Sequence, residues 1–81
     1  MDKATLLKEV NEIFIDVLDN EDIVLGYETQ AKDVEDWDSL NHIQLVVAIE
    51  KHFDLKFTSL EIQSWKNVGE MLDTILAKKG N

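Results

Sequence analysis

From about Lys3 to Leu18 the chain sets Leu6, Leu7, Val10, Ile13, Phe14, Val17 and Leu18 at intervals of three and four, with Lys8, Glu9, Glu12 and Asp16 between them. That period predicts an amphipathic helix, which Asp19-Asn20-Glu21-Asp22 then ends. From Asp19 to Asp38 the pattern is lost. Ile23-Val24-Leu25 is a short apolar run, and Tyr27, Val34 and Trp37 stand singly among polar residues. A connection of about 20 residues is long for a small domain and is often functional. It is expected to be an ordered surface loop pinned to the bundle by these apolar side chains, with a short helical turn near Asp33 to Asp36. Helical spacing resumes from about Ser39 to His52, with Phe53 completing the apolar set. Thr58-Ser59-Leu60-Glu61 has the form of a capping box and opens a short third helix that ends near Trp65. Asn67 offers a similar start to the last helix. Its stripe of Val68, Met71, Leu72, Ile75 and Leu76 runs to Lys78, Lys79 and Gly80, residues that suit a helix C-terminus. No segment alternates as a strand would.

The expected fold is therefore all-α: a small four-helix bundle, three longer helices and one short, with a long loop between the first and second. The expected core comprises Leu7, Val10, Phe14, Leu45, Val46, Ile49, Phe53, Val68, Leu72 and Ile75. At 81 residues the chain reads as a single domain over residues 1–81. A chain of this size buries only about 60% of its unfolded surface, which leaves one thin core and little protein to wall an enzyme's pocket. Seventeen acidic residues against eight lysines give a net charge of −9, the wrong sign for nucleic acid and the right one for steering towards basic protein surfaces. Cysteine is absent, which excludes a disulfide framework, a thiolate nucleophile and sulfur ligands for a metal. No apolar run reaches the roughly 18 residues of a membrane span, and the N-terminus lacks a signal-peptide core. A cytoplasmic monomer without membrane insertion is expected.

The second helix carries two apolar faces. At about 100° per residue, Leu45, Val46, Ile49 and Phe53 fall in one sector, and Leu40, Ile43 and Val47 form a separate stripe roughly 135° away. A helix in a small bundle buries one face. The second stripe either meets the loop and the short third helix or is a docking face for a partner.

Ser39 follows Asp38 at the entrance of this helix. By residue type it is a plain N-cap. It is also a hydroxyl placed where free amides and the positive end of the helix dipole would stabilise an attached phosphodiester.

Asp38-Ser39-Leu40, followed by the apolar helix that ends Ala48-Ile49-Glu50-Lys51-His52-Phe53-Asp54, resembles the attachment motif and second helix of acyl carrier proteins. The signatures Thr58 to Glu61 and Val68-Gly69-Glu70 fall where that family has its third and fourth helices, so the likeness spans nearly the whole chain. The resemblance implies that Ser39 carries 4′-phosphopantetheine, added from coenzyme A by a phosphopantetheinyl transferase that uses the local charge of Asp38. The terminal thiol of that arm would hold acyl groups as thioesters, which places the reactive sulfur on the cofactor. It further implies that Leu40, Ile43, Val47 and Glu50 face partner enzymes that activate, transfer or condense acyl groups. The other apolar residues of the helix would line a core in which the cargo shelters. The chain would then be a discrete carrier and not an enzyme, serving fatty-acid, polyketide or related biosynthesis. The alternatives are a carrier of aminoacyl or hydroxyacyl groups and a helical interaction module without a prosthetic group.

The sequence departs from the family pattern in three places. Val34-Glu35-Asp36-Trp37 lacks the glycine often found shortly before the Asp-Ser pair. Trp37 stands there instead, as an expected anchor for the loop. His42, Gln44, Lys51 and His52 thin the usual acidity of the second helix, which implies less basic partners. Asp38, in place of the Gly or His common in peptidyl carriers, leans towards acyl cargo.

Other constellations carry less. Asp38, Ser39 and His42 contain the residue types of a hydrolytic triad, but no nucleophile elbow or glycine-rich oxyanion loop accompanies them. His42 is expected on the helix surface or shielding the edge of the core. The acidic stretches lack EF-hand spacing, and His42 and His52 lack the further ligands of a zinc site.

Overall fold

The computed structural model describes residues 2–79. Four α-helices follow one another as α1 (Lys3–Leu18), α2 (Ser39–Phe53), α3 (Ser59–Ser64) and α4 (Val68–Lys79), with a single 3-10 turn at Ala31–Asp33 in the first connection. Among the described residues there is no strand, and no helix is long and apolar enough to cross a membrane. The expected bundle of three longer helices and one short helix is thus the fold.

Each helix start is supplied by an oxygen-bearing side chain, as orphan amides require. Asp2 accepts the Thr5 N–H at 2.7 Å, and Asn67 accepts that of Glu70 at 2.9 Å. Thr58 and Glu61 form the reciprocal box, at 3.1 Å from Glu61 N–H to the threonine hydroxyl and 2.8 Å from Thr58 N–H to the carboxylate. The ends of α1 and α2 use no glycine. Asp19 and Asp54 take the left-handed conformation, with φ of 52° and 55°, one that short polar side chains tolerate better than most. At the far end of α4, Lys79 donates to the Phe53 carbonyl at 2.8 Å and Lys78 pairs with Glu61 at 2.9 Å. Gly80, expected to end this helix, lies outside the described residues.

Leu6, Val10, Phe14, Leu45, Ile49, Val68, Leu72 and Ile75 are completely buried at the centre. The expectation for Leu7 needs correcting. Leu6, Val10 and Phe14, four apart, form the inward line of α1, and Leu7 packs half-buried on its flank. The core also takes Ile13, Leu18, Met71 and, from the loop, Ile23, Leu25 and Trp37.

Three devices order the loop without a strand. The Asn11 side chain donates to the Ile23 carbonyl at 3.2 Å and accepts the Leu25 N–H at 2.7 Å, as a neighbouring strand would. Ile23 and Leu25 therefore point inward and Val24 outward. Further along, the carbonyls of Tyr27 and Thr29 accept the N–H groups of Gly69 and Val68 at 2.7 and 2.9 Å. The approach needs glycine, since a Cβ on residue 69 would lie 2.8 Å from the Tyr27 oxygen. Last, Trp37 is buried with its ring edge-on to Phe14, centroids 4.8 Å apart. The helical turn lies at Ala31–Asp33, ahead of the expected Asp33 to Asp36. The Asp33 carboxylate accepts the Gln30 N–H at 2.9 Å and draws the turn back towards Gln30.

Candidate functional site

The entrance of α2 is built by Asp38. Its carboxylate accepts the Asn41 N–H at 2.9 Å and its carbonyl accepts the His42 N–H at 2.8 Å. Asn41 in turn donates its side-chain amide to the Asp36 carbonyl at 2.7 Å, which fixes the incoming chain. The N-cap is therefore Asp38, and Ser39 is the first helical residue. Either residue type can cap, and the extended backbone at Asp38 decides between them. Ser39 is exposed, and its hydroxyl makes no hydrogen bond among the described residues.

Helix starts in this bundle are not alike. In α4 the amides of Val68, Gly69 and Glu70 are all taken by protein oxygens. In α2 the amides of Ser39 and Leu40 stay without a partner among the described residues, beside the serine hydroxyl. An anion attached at Ser39 would meet two free N–H donors and the positive end of the α2 dipole.

Next to Ser39 lies a groove of about 680 Å³ between the end of the loop, the start of α2 and the end of α3. Trp37, Ser39, His42, Ile62 and Trp65 line it together with the exposed Lys32 and Lys66. His42 is the hub of its inner wall. The Trp37 indole N–H donates to His42 Nδ1 at 3.0 Å and the two rings stack at 6.0 Å. Trp65 meets the same imidazole edge-on at 6.1 Å and donates its indole N–H to Thr74 Oγ1 at 2.9 Å.

Burial holds the His42 imidazole below its ordinary pKa of 6.5, and a hydrogen bond to the Ile62 backbone offsets part of that shift. A base with a depressed folded pKa contributes stability that is present above its unfolded pKa and is lost as the pH falls through the folded value. The ring-proton titration of His42 should thus have its midpoint below 6.5 by NMR. Thermal stability should fall as the pH drops below that value, and His42→Gln should flatten the decline. A midpoint at or above 6.5 would contradict the buried, neutral imidazole.

The exposed residues expected on α2 lie on one face: Leu40, Ile43 and Val47 are 68%, 63% and 43% accessible. Neither the loop nor α3 covers this stripe. Glu50 is half-buried, and its carboxylate accepts the Phe57 N–H at 2.9 Å, bracing the turn between α2 and α3. Asp38, Ser39 and His42 do not assemble as a triad. The Asp38 carboxylate is spent on Asn41 and the His42 Nδ1 on Trp37. No group of three or more His, Asp or Glu side chains among the described residues is placed to hold a metal ion. The Trp37–His42–Trp65 wall is the part of the site that the sequence did not reveal. Its one signal was a tryptophan placed five residues before a histidine across a helix start.

A family described as "Phosphopantetheine attachment site" matches residues 8–75. Among solved structures, the holo acyl carrier protein from Geobacter metallireducens, determined by NMR in solution, is similar with a TM-score of 0.86. The two chains are 42% identical, over 91% of this chain and 85% of that one.

Proposed function

The chain belongs to the phosphopantetheine-attachment family of acyl carrier proteins, and from that premise we propose that Ser39 is the residue to which 4′-phosphopantetheine is joined. The observation that carries this reading is the division of labour at the entrance of α2, where Asp38 does the capping and leaves an exposed, uncommitted hydroxyl on Ser39. The two free amides beside it suit the phosphodiester. When attached, the arm supplies the thiol on which acyl groups are held as thioesters. The chain's own residues present and position. Trp37 fixes the loop against Phe14, Asp38 starts the helix and brings negative charge for the modifying enzyme, and Ser39 offers the acceptor oxygen. As a carrier the protein is not itself a catalyst.

The finer reading is a single carrier domain that presents acyl intermediates to activating, transferring or condensing enzymes in fatty-acid, polyketide or related biosynthesis. A phosphopantetheinyl transferase is its first partner. Leu40, Ile43 and Val47 supply the apolar centre of the docking face. Glu50 lies at its rim and, through Phe57, keeps the adjoining turn in place. The net charge of −9 draws partners with basic rims.

Incubation with coenzyme A and a broad-range phosphopantetheinyl transferase, followed by intact-mass measurement, tests the assignment. One added phosphopantetheine group is expected. An unchanged mass on folded protein would favour a helical interaction module without a prosthetic group.

Val47→Asp tests the docking face. Loading and helicity should be preserved, with stability within about 0.5 kcal/mol of wild type as for an exposed site. Turnover of the acylated carrier by a partner enzyme should fall about tenfold in kcat/KM, as expected on charging the centre of an apolar contact. Loss of the fold in this variant would show the stripe to be core.

A further inference from the structure

Given attachment at Ser39, on which this rests, we infer that Asn41 is a positioning residue for priming: its side-chain amide, bonded to the Asp36 carbonyl, sets the direction in which the Ser39 hydroxyl is offered to the transferase. That hydroxyl bonds no other described residue, so its place is set by the backbone that carries it. No glycine or proline shapes this stretch. Val34-Glu35-Asp36-Trp37 runs directly into Asp38. Two ties hold it instead. The Trp37 ring is buried against Phe14, and the Asp36 carbonyl accepts two donors, the Asp38 N–H at 3.2 Å and the Asn41 amide at 2.7 Å. One donor precedes Ser39 in the chain and the other follows it. The serine is thus held within a clasp from Asp36 to Asn41, which the Asp38 carboxylate closes a second time by accepting the Asn41 N–H at 2.9 Å.

The sense of the bond sets α2 apart. In α3 and α4 the third helical residue is a glutamate that accepts a backbone N–H from ahead of the helix: Glu61 that of Thr58 at 2.8 Å, and Glu70 that of Lys66 at 3.3 Å. In α2 the third residue is Asn41, and it donates to a backbone carbonyl. Only a side chain with a hydrogen to give can complete this contact, and a carboxylate is an acceptor alone. An aspartate at position 41 would be drawn to the Asp38 N–H, as Glu61 is to that of Thr58, and would release Asp36. The helix would not suffer, since the cap uses the backbone N–H of residue 41 and a carboxylate in the first turn suits the dipole. What changes is the entry of the chain, and with it the bearing of Ser39.

That bearing matters because priming is a displacement at phosphorus. The Ser39 oxygen bonds to the phosphorus of coenzyme A that bears pantetheine, and the bond from that phosphorus to the bridging oxygen breaks. Adenosine 3′,5′-bisphosphate leaves with the bridging oxygen, and the serine proton passes to solvent. Such a step needs the attacking and leaving oxygens in line, and its rate falls steeply when the attacking atom is misplaced by about 1 Å.

The test compares the full chain with Asn41→Asp, Asn41→Ala and the control Ser39→Ala. Each is given saturating coenzyme A and a broad-range transferase, and loading is followed by intact mass over a range of carrier concentrations. Failure of wild type to load, or loading of Ser39→Ala, overturns the attachment; loading that requires Ser39 leaves Asn41 as the only question. Both Asn41 variants should lose about tenfold in kcat with KM within about twofold of wild type, because alignment and not docking is disturbed. Asn41→Asp should melt no lower than wild type, and the Asp36 carbonyl carbon signal should move in both variants. An unchanged kcat in Asn41→Ala overturns the inference. So does a rise in KM alone, which would make Asn41 a contact with the transferase, and so does a fall in kcat confined to Asn41→Asp, which would be an effect of charge. A fall in kcat with the Asp36 signal unmoved overturns it as well.

Discussion

Ser39→Ala should take up no phosphopantetheine at all, measured by intact mass after transferase treatment, while melting within about 2–4 °C of wild type. The two halves of this result come from one geometry. The hydroxyl is the only group the substitution removes, and it is exposed and bonds no other described residue. Helix α2 keeps its start because the Asp38 carboxylate still accepts the Asn41 N–H. Asp38→Ala should give the reverse pattern. It would lose about 0.5–2 kcal/mol with the cap and retain the acceptor oxygen, so loading should continue on whatever fraction is folded. If Ser39→Ala were loaded as well as wild type, the acceptor would have to be sought elsewhere. If it unfolded, the serine would be structural.

Phe14→Ala should be the most damaging single truncation, costing about 3–5 kcal/mol in urea unfolding. At roughly 0.05–0.15 kcal/mol per residue, an 81-residue domain has about 4–12 kcal/mol in all, so about a quarter of the stability or more would be lost. Phe14 is completely buried, and its ring and that of Trp37 meet at right angles with centroids 4.8 Å apart. The substitution therefore empties the centre of the core and removes the surface on which the loop end rests. Tryptophan emission should shift to longer wavelength and loading at Ser39 should slow, although Phe14 lies away from the serine. A loss below about 1 kcal/mol would mean that the site collapses around the gap and that Trp37 is held by its bond to His42 alone.

The helices could be read from the sequence because their signals are local. Apolar spacing located α1, α2 and α4, and Thr58 with Glu61 marked α3 within one residue. Ser39 was legible as a hydroxyl at a helix entrance, but not which of Asp38 and Ser39 does the capping, since that depends on a single extended residue. Counting faces separated Leu40, Ile43 and Val47 as a second stripe on α2 but left open whether the loop and α3 cover it, which their exposure decides. Leu6 and Leu7 could not be ranked, since neighbouring leucines both fit a three-to-four pattern and only packing chooses the inward line. The loop was least legible. Its order depends on Asn11 acting as a strand and on carbonyls that meet α4, contacts between polar groups far apart in sequence that leave no periodic trace. Trp37 as loop anchor and His42 at the edge of the core were legible singly, but their pairing and the part of Trp65 were not, for the same reason.

The bonds from Tyr27 and Thr29 to Gly69 and Val68 join positions about 40 residues apart. Closing so wide a span comes late in assembly, after local helices have formed. A chain shorn of residues 68–79 would have no α4 to receive these carbonyls, and the loop that delivers Ser39 would keep only its ties to Asn11 and Phe14. Loss of α4 should therefore loosen the setting of a serine about 30 residues earlier in the chain.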